Sequence, residues 1–402
     1  MPAPDTRPPF AALGGVLPAA LHTLPTPCYL LDEGALRRNA ELLGALAQRT
    51  GCKILLAQKA FSNYDLYPLL APHLAGTEAS GLYEARLGAE EMPDGEVHVF
   101  CAAYRDDEMD ELLRYADHIV FNSPAQLAKF GAKVKAAGKS VGLRINPECS
   151  TQDGHAIYDP CAPGSRLGTT RAAWDAAVAQ DPALPQLLDG LHFHTLCEQD
   201  ADALAVTLDA VAEKFGDILP KMQWVNFGGG HHITRPGYDI ETLEHCIARA
   251  QNAWGVTVYL EPGEACALNA GYLLTRVLDV VQNGGTTVAI LDTSAACHMP
   301  DVIEMPYRPP LLFAGDAGQK PCTVRLAGPT CLAGDVIGDY SFDAVPRAGD
   351  LLVFGDMAIY TTCKNNTFNG MPLPAICVRD EAGSVRELVK FGYRDFKARL
   401  GR

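Results

Sequence analysis

The chain has 402 residues, 48% of them hydrophobic and 20% charged, with no low-complexity tract and no repeat. That length supports a large core divided between two domains. A formal net charge of −15 argues against nucleic acid or an anionic membrane as partner, and it suits a cationic substrate.

The Pro-rich opening, MPAPDTRPPF, lacks the basic and apolar regions of a secretory signal and reads as part of a mobile tail over 1–20. No apolar run approaches a membrane span. Thirteen cysteines are scattered without a CxxC pair, which suits reduced thiols and a cytoplasmic protein. The first strand-like run, 28–31 (CYLL), stands apart from the later runs. From residue 53 onward, short apolar runs alternate with Ala-rich helical stretches. The runs are 53–57 (KILLA), a weaker 74–79, 97–102 (VHVFCA), 118–122 (HIVFN), 141–145 (VGLRI), 191–195 (LHFHT), 223–227 (QWVNF) and 256–260 (VTVYL). Helical patterns fall at 83–89, 107–115, 124–137 and 200–215, with Ser123 placed to cap the third. Apolar strands alternating with helices imply a parallel sheet buried on both faces. Eight units over about 220 residues fit an α/β fold with a (β/α)8 TIM-like barrel. A doubly wound sheet is the rival, but no GxGxxG follows the first strand.

After about residue 270 the texture becomes β-rich, with runs at 273–281, 287–292, 322–326 and 351–354 between Pro/Gly-rich loops. This predicts a second, mostly antiparallel β-domain. The expected division is a tail over 1–20, a barrel over 40–270, and a β-domain made of 21–39 with 271–402.

Barrel enzymes gather their chemistry where strands end. Reading those ends in order gives Lys59, Arg144, His194, Gly228-Gly229-Gly230 and Glu261. Lys59, leaving an apolar strand, is partly desolvated and suited to imine formation; taken alone it reads as well as a snorkelling surface lysine. Three glycines let the backbone approach an anion closely, and the loop after strand seven of a barrel is a phosphate site. A carboxylate at Glu261 suits the protonated nitrogen of a pyridine ring, or a salt bridge to Arg144. His192 and His194 lie two apart on one strand and face one side, and His231 and His232 are adjacent. Neither pair has a third ligand at a fitting spacing, so no metal is expected. His194 is better suited to packing as a neutral imidazole on a cofactor ring.

Two later segments carry chemistry: Gly328–Asp335 (GPTCLAGD), with a thiol and a carboxylate, and Met357–Tyr360 (MAIY), ending in a phenol. Together with the barrel motifs they resemble the fold-type III pyridoxal-phosphate decarboxylases, the group of ornithine, arginine and diaminopimelate decarboxylases. The resemblance runs from Thr26-Pro27 to the C-terminal β-domain, with the motifs in one order: lysine, histidine, Gly-Gly-Gly, Glu-Pro-Gly, Gly-Pro-Thr-Cys and Asp-Met-Ala-x-Tyr. The long segments LHFHTLCE (191–198), GGGHHIT (228–234), LDTSAACHMPDVIEMPYRPP (291–310) and TFNG (367–370) are similar to its branch acting on carboxynorspermidine and carboxyspermidine.

The resemblance implies pyridoxal 5′-phosphate as cofactor and decarboxylation of a small cationic carboxylated polyamine as reaction. Lys59 would join the cofactor covalently and His194 would stack on its ring. Gly228, Gly229, Gly230, Gly263 and Tyr360 would hold its phosphate, with Arg144 assisting. Glu261 would pair with the ring nitrogen. Cys331 would reach the active site of the other subunit in a head-to-tail homodimer and serve the protonation that follows loss of carbon dioxide. Diaminopimelate decarboxylases follow Glu-Pro-Gly with arginine, which suits a distal carboxylate. Here the residue is Glu264, which suits an ammonium. Asp301, Glu304 and Asp335 are candidates to extend that acidic lining.

Overall fold

The structure, a computed structural model, describes residues 17–152 and 159–401. Most of the expected tail lies outside the described residues. Its last part does not behave as a tail: Ala19–Thr23 form a 3-10 helix, Leu21 is buried, and Leu17 packs on the same apolar cluster.

The chain forms two compact units. One consists of Arg37–Cys266; the other combines the described residues up to Leu36 with those from Ala267 onward. In the first unit eight parallel strands close into a barrel: β2 (Lys53–Ala57), β3 (Gly76–Ala79), β4 (Glu96–Phe100), β5 (His118–Phe121), β6 (Ser140–Arg144), β7 (Gly190–His192), β8 (Trp224–Asn226) and β9 (Thr257–Leu260). The strand that precedes them, β1 (Cys28–Asp32), belongs to the second unit, where it lies between β10 (Gly271–Asn283) and β16 (Ala375–Arg379). It pairs antiparallel with the former and parallel with the latter. The same sheet takes in β11 (Thr286–Leu291), β12 (Gly315–Asp316), β13 (Cys322–Ala327), β14 (Val336–Phe342), β15 (Leu351–Gly355) and β17 (Val385–Val389), and most of its pairings are antiparallel.

The helices between the barrel strands follow their local signals. Ser123 accepts from the backbone N–H of Gln126 and caps Pro124–Ala136, with proline in the first turn. Asp200 caps Ala201–Phe215.

The barrel interior is built in layers. Gly142, Gly190 and Trp224 are register partners on β6, β7 and β8. The indole spreads across both glycines: an added Cβ would sit 2.5 Å from it at Gly142 and 2.1 Å from it at Gly190. One large side chain therefore fills the space of three positions. Leu55, Val120 and Tyr259 pack with it. Side chains two residues further along a strand face the same way. Arg144, His192 and Asn226, again register partners, therefore form the next layer toward the C-terminal mouth. Trp224 is the floor beneath them.

Candidate active site

A cavity of about 270 Å³ opens at this mouth, lined by Lys59, Glu78, Arg144, His192, His194 and Glu261 among others. Strands β7 and β8 are shorter than the apolar runs that predict them, whereas β2 coincides with its run. Lys59 lies two residues beyond β2, His194 two beyond β7 and Gly228 two beyond β8, while Arg144 is the last residue of β6 and Glu261 directly follows β9. His194 is thus on a loop rather than on the strand that holds His192.

Glu261 is buried and held from two sides. Asn226 donates to Oε1 through Nδ2 at 2.6 Å, and His192 Nε2 lies 3.1 Å from Oε2. Burial opposes its charge, but His192 and Lys59 outweigh burial and hold its carboxyl down to about 2. It is an anion at any pH near neutral. Arg144 stays cationic although burial lowers it to about 10; its guanidinium lies 4.5 Å from the ring centre of Phe100 and donates to the His194 carbonyl at 3.1 Å. His194 is driven well below the usual imidazole range, first by burial and then by the charges of Lys59 and Arg144. It is a neutral ring, and its Nδ1 accepts from the Gly229 N–H at 3.3 Å. That suits stacking on an aromatic cofactor better than it suits acid catalysis.

Gly228 and Gly230 adopt positive φ of 73° and 81°. At Gly229 the constraint is space: an added Cβ would lie 2.6 Å from the Glu261 carbonyl oxygen. Gly263 is crowded in turn, since its Cβ would lie 2.6 Å from the Cβ of Ala60, next to Lys59. The loop thus needs glycine at consecutive positions, as a phosphate cradle does. Gly229→Ala should push the loop away from Glu261 and weaken binding of pyridoxal phosphate to the apoprotein on the order of tenfold or more. A spectrophotometric titration with unchanged affinity would remove the loop from the phosphate site.

Glu78 escaped sequence reasoning. It lies on β3, a weak strand candidate, and is buried with Oε2 lacking a hydrogen-bond partner. Burial pushes its carboxyl up to about 8 against the pull of Lys59, and the charge of Glu261 adds to the rise. The cavity therefore holds one carboxylate and one carboxylic acid. The available signal was an acid inside an apolar run just before Ser80-Gly81.

His231 and His232 do not join His192 and His194 in a metal-like group. Among the described residues, the metal-like grouping is Glu96, His98 and His118, from the N-terminal starts of β4 and β5. There the two rings stack at 3.8 Å and 12°, so their lone pairs run parallel rather than converging. Lys53 also pairs with the Glu96 carboxylate.

The sheet unit holds Cys331, Asp301, Glu304, Asp335 and Tyr360, while Glu264 belongs to the barrel unit. Cys331 is exposed, with its backbone N–H on Asn369 at 2.7 Å. Asp301 and Glu304 both pair with Lys364, the latter at 2.6 Å. Asp335, a candidate for the substrate lining, is bound both by its own loop and by Ser294. It is 3% exposed, and its carboxylate accepts from Ser294 at 2.9 and 3.0 Å and from Thr330 at 2.7 Å. A buried carboxylate held this way ties loops together. Glu264 starts a short helix, Glu264–Ala267, and is half-buried. Tyr360 has a positive φ of 50° at the end of its motif.

The chain matches the model of the pyridoxal-dependent decarboxylase C-terminal sheet domain family over residues 28–358. It is similar to the carboxynorspermidine/carboxyspermidine decarboxylase of Campylobacter jejuni, with 41% identity over 93% of this chain and 98% of that one. It is also similar to the carboxyaminopropylagmatine decarboxylase of Synechocystis sp., with 40% identity over 95% of this chain and 97% of that one. Among solved structures, it resembles the Campylobacter jejuni carboxynorspermidine decarboxylase complexed with norspermidine. That match has a TM-score of 0.84 and 40% identity, covering 94% of this chain and all of that one.

Proposed function

We propose, from the premise that this chain belongs to the pyridoxal-dependent decarboxylase family, that it decarboxylates carboxynorspermidine or carboxyspermidine to norspermidine or spermidine. The observation that carries the substrate class is similarity to polyamine decarboxylases along nearly the whole of each chain. The cofactor is pyridoxal 5′-phosphate, and the barrel mouth fits it: an amine and an anionic carboxylate share one cavity beside a three-glycine loop. When bound, the cofactor supplies the electron sink for the pair of electrons left as carbon dioxide departs.

The chain's own residues do the rest. Lys59 would hold the cofactor covalently through the amine it brings to the cavity. His194, neutral, would pack on the ring. Gly228–Gly230 and Gly263 would hold the phosphate, joined by Tyr360 as the family resemblance implies, and Arg144 would set the cationic side of the site. Glu261, anionic, would keep the ring nitrogen protonated. Glu78, neutral near physiological pH, is a proton store within reach of the site. Cys331, exposed in the single chain, would serve the site of the other subunit in a head-to-tail homodimer, where its thiol would supply the proton for the substrate carbon. The described residues contain no helix long and apolar enough to cross a membrane. Cysteines scattered without a CxxC pair support placing the enzyme in the cytoplasm.

Glu264 faces the distal end of the substrate in this reading. Glu264→Arg should cut kcat/KM for carboxynorspermidine on the order of a hundredfold while cofactor affinity stays within about twofold. Unchanged kinetics would remove Glu264 from the substrate pocket. The similarity to a carboxyaminopropylagmatine decarboxylase favours a second reading, with a guanidinium at the distal end in place of an ammonium. Comparing kcat/KM for carboxynorspermidine, carboxyspermidine and carboxyaminopropylagmatine decides between them. The first two differ by one methylene, worth only about 1–3 kcal/mol in a pocket. A reversal in favour of the guanidinium substrate would overturn the primary reading.

A further inference from the structure

We infer, building on the cofactor reading above, that Asn226 is a positioning residue that locks the ring-nitrogen carboxylate, Glu261, to the phosphate loop. The two ends of the cofactor site then move as one piece, held by a residue that the chemistry does not itself require.

Asn226 closes β8 and is fully buried. Its amide is used at both ends. Nδ2 donates to Glu261 Oε1 at 2.6 Å, and Oδ1 accepts from the Gly228 N–H at 2.8 Å. The orientation is unique: flipping the amide would set its oxygen against a carboxylate and its NH2 against an N–H. A third bond completes the ring, since the Glu261 N–H donates to the Gly228 carbonyl at 2.8 Å. Side chain and backbone thus join the same two elements in parallel.

Neighbouring layers leave the lock little play. His192, the register partner of Asn226 on β7, holds the other carboxylate oxygen, and its ring stacks on Phe100 at 5.4 Å between centroids. Beneath Asn226 lies the Trp224 indole, packed across two glycines, so the strand end has no room to settle downward. Gly228 has a positive φ, a conformation that side-chain hydrogen bonding to its N–H helps to hold.

A carboxylate with a free rotor would point at a ring nitrogen only part of the time. Fixed to the glycine loop, it presents its charge at a set distance and angle from the bound phosphate. Asn226 therefore acts on ring and phosphate together, whereas a residue serving only one end would affect that end alone.

Three forms of the protein separate these cases: wild type, Asn226→Ala, which loses both bonds, and Asn226→Asp, which keeps the acceptor for Gly228 but sets a carboxylate against Glu261. Apoprotein of each is titrated with pyridoxal phosphate, read by visible absorbance, and with inorganic phosphate, read by competition. Asn226→Ala should weaken both ligands, pyridoxal phosphate on the order of tenfold or more. Asn226→Asp should keep inorganic phosphate within about twofold of wild type, yet weaken pyridoxal phosphate to a similar degree and shift the pH at which the bound cofactor changes colour. Thermal unfolding of each apoprotein reports folding, and Asn226→Ser replaces the alanine variant if that one does not fold. Equal phosphate affinities in all variants, or an aspartate variant with wild-type cofactor affinity and pH response, would overturn the inference. Failure of wild type itself to bind pyridoxal phosphate would instead overturn the cofactor reading.

Discussion

Lys59→Ala is expected to abolish the visible absorbance band that wild-type protein shows with pyridoxal phosphate, and to lower kcat on the order of 10³-fold or more. The reason is positional. Lys59 shares a cavity with Arg144, His192 and His194, and two of these groups are neutral imidazoles near physiological pH. Among the described residues, the lining offers no other primary amine to take over covalent attachment. Noncovalent contacts survive the substitution: the glycine loop, Glu261 and Arg144 are all untouched. The variant should therefore still bind pyridoxal phosphate, more weakly, and release it on dialysis, whereas wild type should retain it. An alanine variant that keeps the band would assign the attachment to another residue. Wild-type protein that stays colourless with excess cofactor would refute the enzyme reading as a whole.

Much of this site was legible because barrel chemistry sits at predictable places in the chain. KILLA ends two residues before Lys59, and VTVYL ends one residue before Glu261. Position along the sequence and position at the mouth are nearly the same thing in a parallel barrel. What was not legible lies across strands. His192 read only as one of two histidines facing the same side in LHFHT, with no partner assigned. Its actual partner, Glu261, is 69 residues away and becomes a neighbour only when β7, β8 and β9 close side by side. Asn226 was hidden in QWVNF, where its register between the two decides its role. The sheet unit was harder still. β14 (VIGDYSF) and β17 (VRELV) lack a long apolar run, because strands solvated on one face show only alternation. Asp335 illustrates the limit. An acid in a glycine loop reads as available, and only the fold reveals Ser294, 41 residues earlier, already donating to it.

Glu261→Gln is expected to lower kcat on the order of 10²–10³-fold with little change in fold, and it tests the charge rather than the shape of the site. Glutamine is nearly isosteric and still offers one oxygen to Asn226, so the lock to Gly228 can persist. It does not carry the negative charge that His192 and Lys59 help to hold ionised against burial. Without that charge, the proton on a bound ring nitrogen has no counter-ion in a cavity that already contains Arg144 and Lys59. The electron sink then weakens, while the phosphate contacts do not. Cofactor affinity should fall far less than kcat, and the bound cofactor should lose its ring proton at lower pH than in wild type. The double variant Asn226→Ala with Glu261→Gln supplies the sharper measurement. If Asn226 serves turnover by aiming the Glu261 charge, removing the charge removes its value, and the double variant should have nearly the kcat of Glu261→Gln alone. Losses that instead multiply would mean that Asn226 reaches the chemistry by some route other than Glu261.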